Sequence, residues 1–179
     1  VTNDVEIRTG RFILVNTAVA GKASGNLTLS GNVLLNQAGG ADFYCQKNLT
    51  LSGTVSGGNA YGLRMAYGTF TLQGINTFTN NLRTTSTDGA PTLNINSDSA
   101  LGHTNNGVYA AVNSLLFQTA SGTSIPLAPS RFFNSYSGKT ITFDIPAAST
   151  LTVPGPITGN AIAKTSNSGT LTLAGANTY

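Results

Sequence analysis

Short segments in which apolar and polar residues alternate recur along the chain, and a glycine closes each one. The clearest have the form apolar-Thr-apolar, with Gly two positions further on, and they begin at Leu27, Leu49, Phe70, Leu151 and Leu171. Successive side chains of a strand point to opposite faces, so the two apolar residues share one face and Thr takes the other. The pattern predicts strands with one buried face, each followed by a turn at Gly.

These segments recur at a nearly constant spacing. Looser versions begin at Leu93, Leu115 and Ile141, and from Leu27 to Leu115 the successive starts follow one another at about 22 residues. The interval that ends at Leu171 is similar, but the rhythm is lost between Leu115 and Leu151, where one long interval is followed by a short one. A period of about 21 residues without helical segments predicts the coils of a β-solenoid, which bury their apolar faces by stacking.

From this spacing we expect one solenoid over residues 1–179, with about eight coils of roughly 21 residues in a rod ~40 Å long at ~4.8 Å per coil. Thr, Ser, Asn and Gly supply much of the remaining sequence, and they favour strands and turns over helix, so we expect an all-β protein. The alternation assigns these apolar side chains to the interior: Leu27, Leu29, Leu49, Leu51, Phe70, Leu72, Leu93, Ile95, Leu171 and Leu173.

A longer duplication contains several of the short segments. Leu49–Phe78 aligns with Leu151–Tyr179, and a single position slips between the start and the end of the alignment. The best agreement is between YGTFTLQGINTF, which ends at Phe78, and SGTLTLAGANTY, which ends at Tyr179. Agreement over about 30 residues indicates an internal repeat above the level of the single strand.

The phrases of this duplication resemble the autotransporter-associated β-strand repeat, a family of long bacterial surface and secreted proteins. Its typical sequence, Lys-Thr-Gly-x-Gly-Thr-Leu-Thr-Leu-x-Gly-x-Asn-Thr-Tyr, is similar to KTSNSGTLTLAGANTY at Lys164–Tyr179, where Ser166 replaces a Gly. Its later segment, x-Asn-x-Asp-Ser-Ala-Leu-Gly, is similar to LNINSDSALG at Leu93–Gly102. The resemblance implies a right-handed parallel β-helix that builds a stalk, and it transfers no catalytic residue to this chain.

The resemblance also implies a longer protein. Tyr179 falls within the family's phrase, at the start of a further strand, so we expect residues 1–179 to be a fragment of a longer repeat protein. The expected partners are further β-helix coils of the same polypeptide or, as the alternative, second copies in end-to-end self-association. Neither Val1–Gly10 nor Ser168–Tyr179 has the polar cap with which solenoids cover their open edges.

Charge is thinly spread along the chain. Charged residues make up 8% of it, and the formal net charge of +3 comes from nine cations, no two of them adjacent. Nucleic-acid binding needs a clustered basic face, so we expect no nucleic-acid partner. No apolar run approaches the ~18–20 residues of a membrane helix, so we expect no membrane contact within this segment. Together with the family resemblance, this predicts an extracellular protein or one on the bacterial cell surface.

Residues that could perform chemistry are few and scattered. The spacing from Asp42 to Asp88 equals that from Asp98 to Asp144, and it corresponds to two coils, or ~9–10 Å along the axis. That separation suits an inverting glycosidase, so a carbohydrate-active enzyme stays as a less favoured alternative to unrelated surface acids. The single histidine, His103, has Ser97, Asp98 and Ser99 near it in the sequence, but serines occur throughout the chain, so we expect no catalytic triad.

The single cysteine, Cys45, excludes an intrachain disulfide, and in its strand-like segment it is typical of a small buried apolar residue. One His and one Cys far apart make no metal-ligand set. We therefore expect no catalysis, no metal and no cofactor.

The least repetitive stretch, residues 102–136, is predicted to be an insertion or a wider coil. Within it, Arg131, Phe132, Phe133 and Tyr136 place aromatic rings beside a cation, as sites that contact glycans or proteins do. These four residues are the candidate partner-binding site, and the alternative is that the aromatics fill the core.

Taken together, the sequence predicts a non-enzymatic structural segment of a large exported bacterial surface protein: a stalk, an adhesin shaft or a subunit of an extracellular filament. A glycan- or protein-binding module on the side of the solenoid is the alternative.

Overall fold

The apolar-Thr-apolar segments form short parallel strands, as their alternation predicts. The computed structural model describes residues 4–8, 11–14, 26–36, 41–45, 47–58, 62–85 and 89–179. Its strands are β1 (Val5–Ile7), β2 (Arg11–Leu14), β3 (Leu27–Leu29), β4 (Val33–Leu35), β5 (Ala41–Cys45), β6 (Asn48–Leu51), β7 (Val55–Gly57), β8 (Leu63–Ala66), β9 (Thr69–Leu72), β10 (Leu82–Thr84), β11 (Thr92–Ile95), β12 (Val108–Ala110), β13 (Leu115–Thr119), β14 (Ser124–Pro126), β15 (Phe133–Asp144), β16 (Thr150–Val153), β17 (Ile157–Lys164) and β18 (Thr170–Leu173).

Every paired strand is parallel to its neighbours, and the strands stack as the faces of a solenoid. The first face runs through β3, β6, β9, β11 and β13 to the second half of β15 and then of β17. A second segment of some coils supplies two three-stranded sheets, β1-β4-β7 and β14-β16-β18. The third face runs through β2, β5, β8, β10 and β12 to the first half of β15 and then of β17.

The two larger faces join within β15. Its register against β17 shifts between Ser135 and Thr140, and Gly138 lies between them with φ of 72°. The chain passes from the third face to the first at this residue, and glycine adopts the required conformation without a steric penalty. One 12-stranded sheet therefore carries both faces.

The solenoid has fewer and longer coils than the sequence spacing predicts. From Leu27 to Lys164, the stacked Cα partners on the first face define about six turns of roughly 23 residues. About six turns of roughly 23 residues thus replace the expected eight of roughly 21. At ~4.8 Å per coil, the stretch from Leu27 to Lys164 is ~30 Å long. Leu151 and Leu171 do not stack on this face; they pair with each other in β16 and β18.

The inward assignment of the alternating residues is confirmed. Leu29, Leu49, Leu51, Phe70, Leu72, Leu93 and Ile95 are at most 3% exposed, and the remaining three of the ten, Leu27, Leu171 and Leu173, are half-buried against the same core. Phe117, Phe133 and Phe143 pack edge to face in the core, with ring centroids 5.2 to 5.8 Å apart.

The two copies of the long duplication form the same turn at different corners. In the first copy, the Asn76 Oδ1 accepts a hydrogen bond from the Val55 N–H at 2.7 Å, after a strand of the first face. In the second, the Asn177 Oδ1 accepts one from the Ile157 N–H at 2.9 Å, after a strand of a three-stranded sheet. The repeated phrase thus specifies a local corner and does not specify the face on which it lies.

Helical structure is minimal in the described part of the chain. A single 3-10 turn at Asp98–Leu101 lies between β11 and β12. No helix among the described residues is both long and apolar enough to span a membrane.

Candidate functional site

The four residues of the candidate binding site separate into an inner and an outer pair. Arg131 and Phe133 are both 0% exposed, whereas Phe132 is half-buried and Tyr136 is 46% exposed. Side chains at positions 132, 134 and 136 leave the third face outward because 133 and 135 point inward. Arg131 and Phe133 are therefore inaccessible to a partner, and the alternative that the aromatics fill the core holds for Phe133.

Arg131 is held by an ion pair and by backbone carbonyls. Its Nε lies 2.6 Å from the Asp98 Oδ1, and its Nη2 lies 3.1 Å from the Asp98 Oδ2. Further hydrogen bonds of 3.2 to 3.4 Å run to the carbonyls of Asp98, Leu101, Gly102, His103 and Asn106. A planar guanidinium with five N–H donors suits this ring of acceptors. Arg131 thereby fixes the segment from the 3-10 turn to β12.

Phe132 and Tyr136 join a tyrosine from the preceding coil on the outer surface. The ring of Tyr109, in β12, lies 5.5 Å from that of Phe132 and 6.0 Å from that of Tyr136, at interplanar angles of 88° and 89°. Edge-to-face contacts of this kind favour a fixed arrangement of rings. We name these three residues the aromatic patch.

Phe132 of the aromatic patch packs directly against the backbone at Gly107. A Cβ on Gly107 would lie 2.4 Å from two ring carbons of Phe132, so the Phe132 ring lies directly on that backbone. Burial raises the pKa of the Tyr109 phenol, which stays protonated at neutral pH. The patch thus offers apolar ring surface together with phenolic hydroxyl groups.

A cation completes this surface. Arg83, in β10, is the register partner of Tyr109, and Tyr109 is in turn the partner of Asn134 in β15. No hydrogen bond or ion pair joins the side chain of the half-buried Arg83 to another described residue. Sequence reasoning missed Arg83 and Tyr109 because they precede Phe132 by two coils and one coil. The available signal was a bulky Tyr at the outward position of the segment Val-Tyr-Ala.

The acidic residues are engaged in structural contacts where they are described. Asp98 pairs with Arg131. Asp144 accepts hydrogen bonds from Gln118 at 2.7 Å and Thr165 at 2.6 Å, and a further one from Asn167. These two carboxylates thus have separate partners rather than a shared site. The other predicted pair lies outside the described residues, Asp42 in its side chain and Asp88 altogether.

His103 borders an open depression of about 370 Å³ beside the 3-10 turn. Its Nδ1 accepts a hydrogen bond of 3.2 Å from the Asn105 N–H. The depression is lined by Asn76, Thr77, Asp98, Ser99, Gly102, His103 and Thr104. Within the described ranges, no three His, Cys, Asp or Glu residues come together as a metal site would require. The side chain of Cys45 lies outside those ranges.

The chain matches no protein-family model, no curated protein and no solved structure. What the residues themselves establish is a parallel β-solenoid built from repeats.

Proposed function

We propose that this solenoid is a non-enzymatic structural segment, a stiff spacer within a larger extracellular protein. The observation that carries the proposal is the bonding of side chains across successive coils. Buried Asn76 is the clearest case: its Oδ1 accepts from the Val55 N–H of the preceding coil, and its Nδ2 donates to the Ala100 carbonyl of the next, both at 2.7 Å. One side chain thus links three coils along the axis.

Other polar residues strengthen the same axis. The Asn81 Oδ1 accepts from the Gly107 N–H at 2.7 Å, the Thr84 Oγ1 donates to the Asn113 carbonyl at 2.8 Å, and the Ser149 Oγ accepts from the Gly122 N–H at 2.9 Å. Each bond joins a residue to the neighbouring coil, in addition to the ladder bonds between the strands. An axial load is then shared by many hydrogen bonds, so stiffness follows from the stack itself.

The location of this spacer rests on the sequence resemblance. KTSNSGTLTLAGANTY at Lys164–Tyr179 is similar to the autotransporter-associated repeat, whose members are bacterial surface and secreted proteins. The Thr- and Asn-rich exterior supports the same proposal, because it gives solubility with few charges. We propose an adhesin shaft, a stalk or a filament subunit on the bacterial surface.

Two measurements test this function. Antibodies against the solenoid should label intact cells of the producing organism, and recovery only after the cells are broken would overturn the location. Replacing residues 27–164 by an unrelated β-solenoid of equal length should preserve the reach of the parent protein from the cell in electron micrographs. Deleting those residues should shorten that reach by about 30 Å, at ~4.8 Å for each of about six coils. Unchanged reach after deletion would refute the spacer role.

For partners, we propose that further coils of the same polypeptide stack on the ends, with end-to-end association of a second copy as the alternative. The support is that all five half-buried members of the core lie in terminal strands: Val5, Leu27, Ile162, Leu171 and Leu173. Leu151, one coil inside Leu171 in the same sheet, is 0% exposed. A further coil would bury these side chains and pair the open strand edges.

Light scattering after size exclusion tests whether the ends of the solenoid are open to a further coil. The isolated chain of 179 residues should associate as its concentration rises, through its open edges. Leu173→Lys should suppress that association, since it places a charge on the apolar end, while Lys47→Gln in an internal turn should not. A strict monomer at every concentration, with its β18 amides protected from exchange, would show that the ends are already closed.

A further inference from the structure

The aromatic patch differs chemically from the rest of the described exterior. Outward positions on the first face are mostly Thr, Asn and Gln, as at Thr50, Asn94 and Gln118. Tyr109, Phe132 and Tyr136 instead pack together on the third face. Their cluster does not complete the core, because Phe133 and Ser135 fill the inward positions beside it. An outward group of rings held in fixed geometry is suited to contact a ligand.

Arg83 adds a charge to this ring surface. It lies one coil from Tyr109 and two coils from Asn134, so its backbone and that of the Phe132–Tyr136 segment are ~10 Å apart along the axis. Its nearest cationic neighbour, Arg64, stands on the next rung, with Asp42 as register partner on the far side. Arg83 is thus the cation one coil from Tyr109, and its side-chain N–H donors have no partner among the described residues.

We propose that Arg83, Tyr109, Phe132 and Tyr136 form a binding site for an acidic glycan that carries carboxylates on its pyranose rings. One sugar ring packs against the exposed ring of Tyr136 and the half-buried ring of Phe132. The carboxylate of the neighbouring sugar accepts paired hydrogen bonds from the Arg83 guanidinium, the geometry that Arg supplies best. A disaccharide is long enough to cover the two coils between Arg83 and the rings of Phe132 and Tyr136. The proposal requires only the fold, and it is independent of the spacer role.

The dimensions of the surface favour a glycan over a protein. A stable protein interface buries about 800 Å² on each partner around an apolar centre. The large apolar residues exposed in the described chain are Leu34, Ile75, Tyr136 and Tyr179, and only Tyr136 of these belongs to the patch. Three clustered rings and one guanidinium match the size of two sugars. Polyanionic nucleic acid would need more cations than this surface provides.

Titration calorimetry with a hexamer of galacturonic acid tests the site, and the methyl-esterified hexamer is the matched ligand that lacks the charge. We expect the acid to bind at least about tenfold more tightly than the ester, from the loss of a charge-assisted hydrogen bond. Arg83→Gln should weaken the acid by about tenfold and leave the ester unchanged. Tyr136→Ala should weaken both ligands by about tenfold, because it removes the exposed ring.

Two variants control for general charge and for general apolar surface. Lys47→Gln removes an exposed cation outside the patch, and Ile75→Ala removes a side chain that is 73% exposed in a different turn; both should bind like the unaltered protein. Unchanged melting temperatures for Arg83→Gln and Tyr136→Ala would confirm that they fold. Equal affinity for acid and ester, an equal loss with Lys47→Gln, no binding by the folded protein, or capture of a protein through the patch in place of glycan would each overturn the proposal.

Discussion

At the scale of the residue, the two sides of one strand contribute very different free energies. Leu51 in β6 is 1% exposed and stacks between Leu29 and Leu72, while Thr50 faces outward. Leu51→Ala should lower the free energy of unfolding by about 2–5 kcal/mol, because it opens a cavity in a stacked core. Thr50→Ala should cost less than about 1 kcal/mol. Urea denaturation measures both, and equal losses would contradict the inward and outward assignment.

Arg131 provides a second test at this scale. Arg131→Met removes the partner of Asp98 and leaves the surrounding carbonyls without donors, so we expect a loss of about 3–5 kcal/mol. Arg131→Lys should recover little of it, because one ammonium cannot reach the acceptors that the planar guanidinium spans. Arg83→Gln, on the surface, is the matched control and should change stability little. Full stability of Arg131→Lys would mean that the charge alone suffices.

Asp144 should make stability depend on pH in the acid range. The hydrogen bond from Thr165, then those from Gln118 and Asn167, and the charge of Lys164 hold the pKa of this carboxyl below its ordinary 3.8. A lowered pKa in the folded state contributes stability above the ordinary pKa, and the contribution disappears as pH falls through the lowered one. The advantage of the unaltered protein over Asp144→Asn should therefore be constant above about pH 5 and shrink below about pH 4. A constant difference down to about pH 2 would refute this.

At the scale of the element, the corners depend on the close approach of successive coils. A Cβ on Gly74 would lie 2.2 Å from the Gly53 carbonyl oxygen of the coil below, so Gly74→Ala should cost about 1–3 kcal/mol by forcing the coils apart. Gly122 has φ of 71° but open space around it. Gly122→Asn should cost less, since Asn tolerates that conformation. The reverse order in thermal denaturation would show that backbone conformation, and not coil spacing, limits the turns.

Alternation within a strand could be predicted because it is a local property. Leu49 and Leu51 point inward whatever lies above them. The identity of the stacked partner is not local: Leu151 carries the same phrase as Leu49, yet it lies on another face, because Ile141, ten residues earlier, already occupies the first face in its coil. The coil count therefore failed where the individual strands succeeded.

The candidate site shows the same contrast between local features, which the sequence predicts, and contacts between coils, which it does not. The alternation of Phe132, Phe133 and Tyr136 could have separated outer from inner residues within the chain segment. The prediction that Arg131 belongs to a binding surface was wrong. A cation next to aromatics is typical of a surface, but the hydrogen-bond acceptors of Arg131 come from residues 98–106 in the preceding coil. Tyr109 joins the patch only through the register of β12 against β15. Contacts between coils need that register, and a single sequence does not contain it.

At the scale of the whole molecule, stability should vary along the axis. Each coil contacts only its neighbours, so a terminal coil has one stabilising interface where an internal coil has two. The amides of β9 and β11 have paired strands on both sides, and we expect them to exchange only through global unfolding. The amides of β18 pair on one side, and local opening should expose them.

Hydrogen exchange followed by mass spectrometry measures this gradient. Protection in β18 should be at least about a hundredfold lower than in β9, because opening one terminal coil costs less than unfolding the stack. Raising the protein concentration should increase protection in β18 and leave β9 unchanged if a second copy stacks on the open edge. Leu173→Lys should abolish that increase, whereas Ile75→Ala should preserve it. Uniform protection from β1 to β18 at low concentration would contradict the nearest-neighbour picture, since the solenoid would then unfold as a single unit without fraying at its ends.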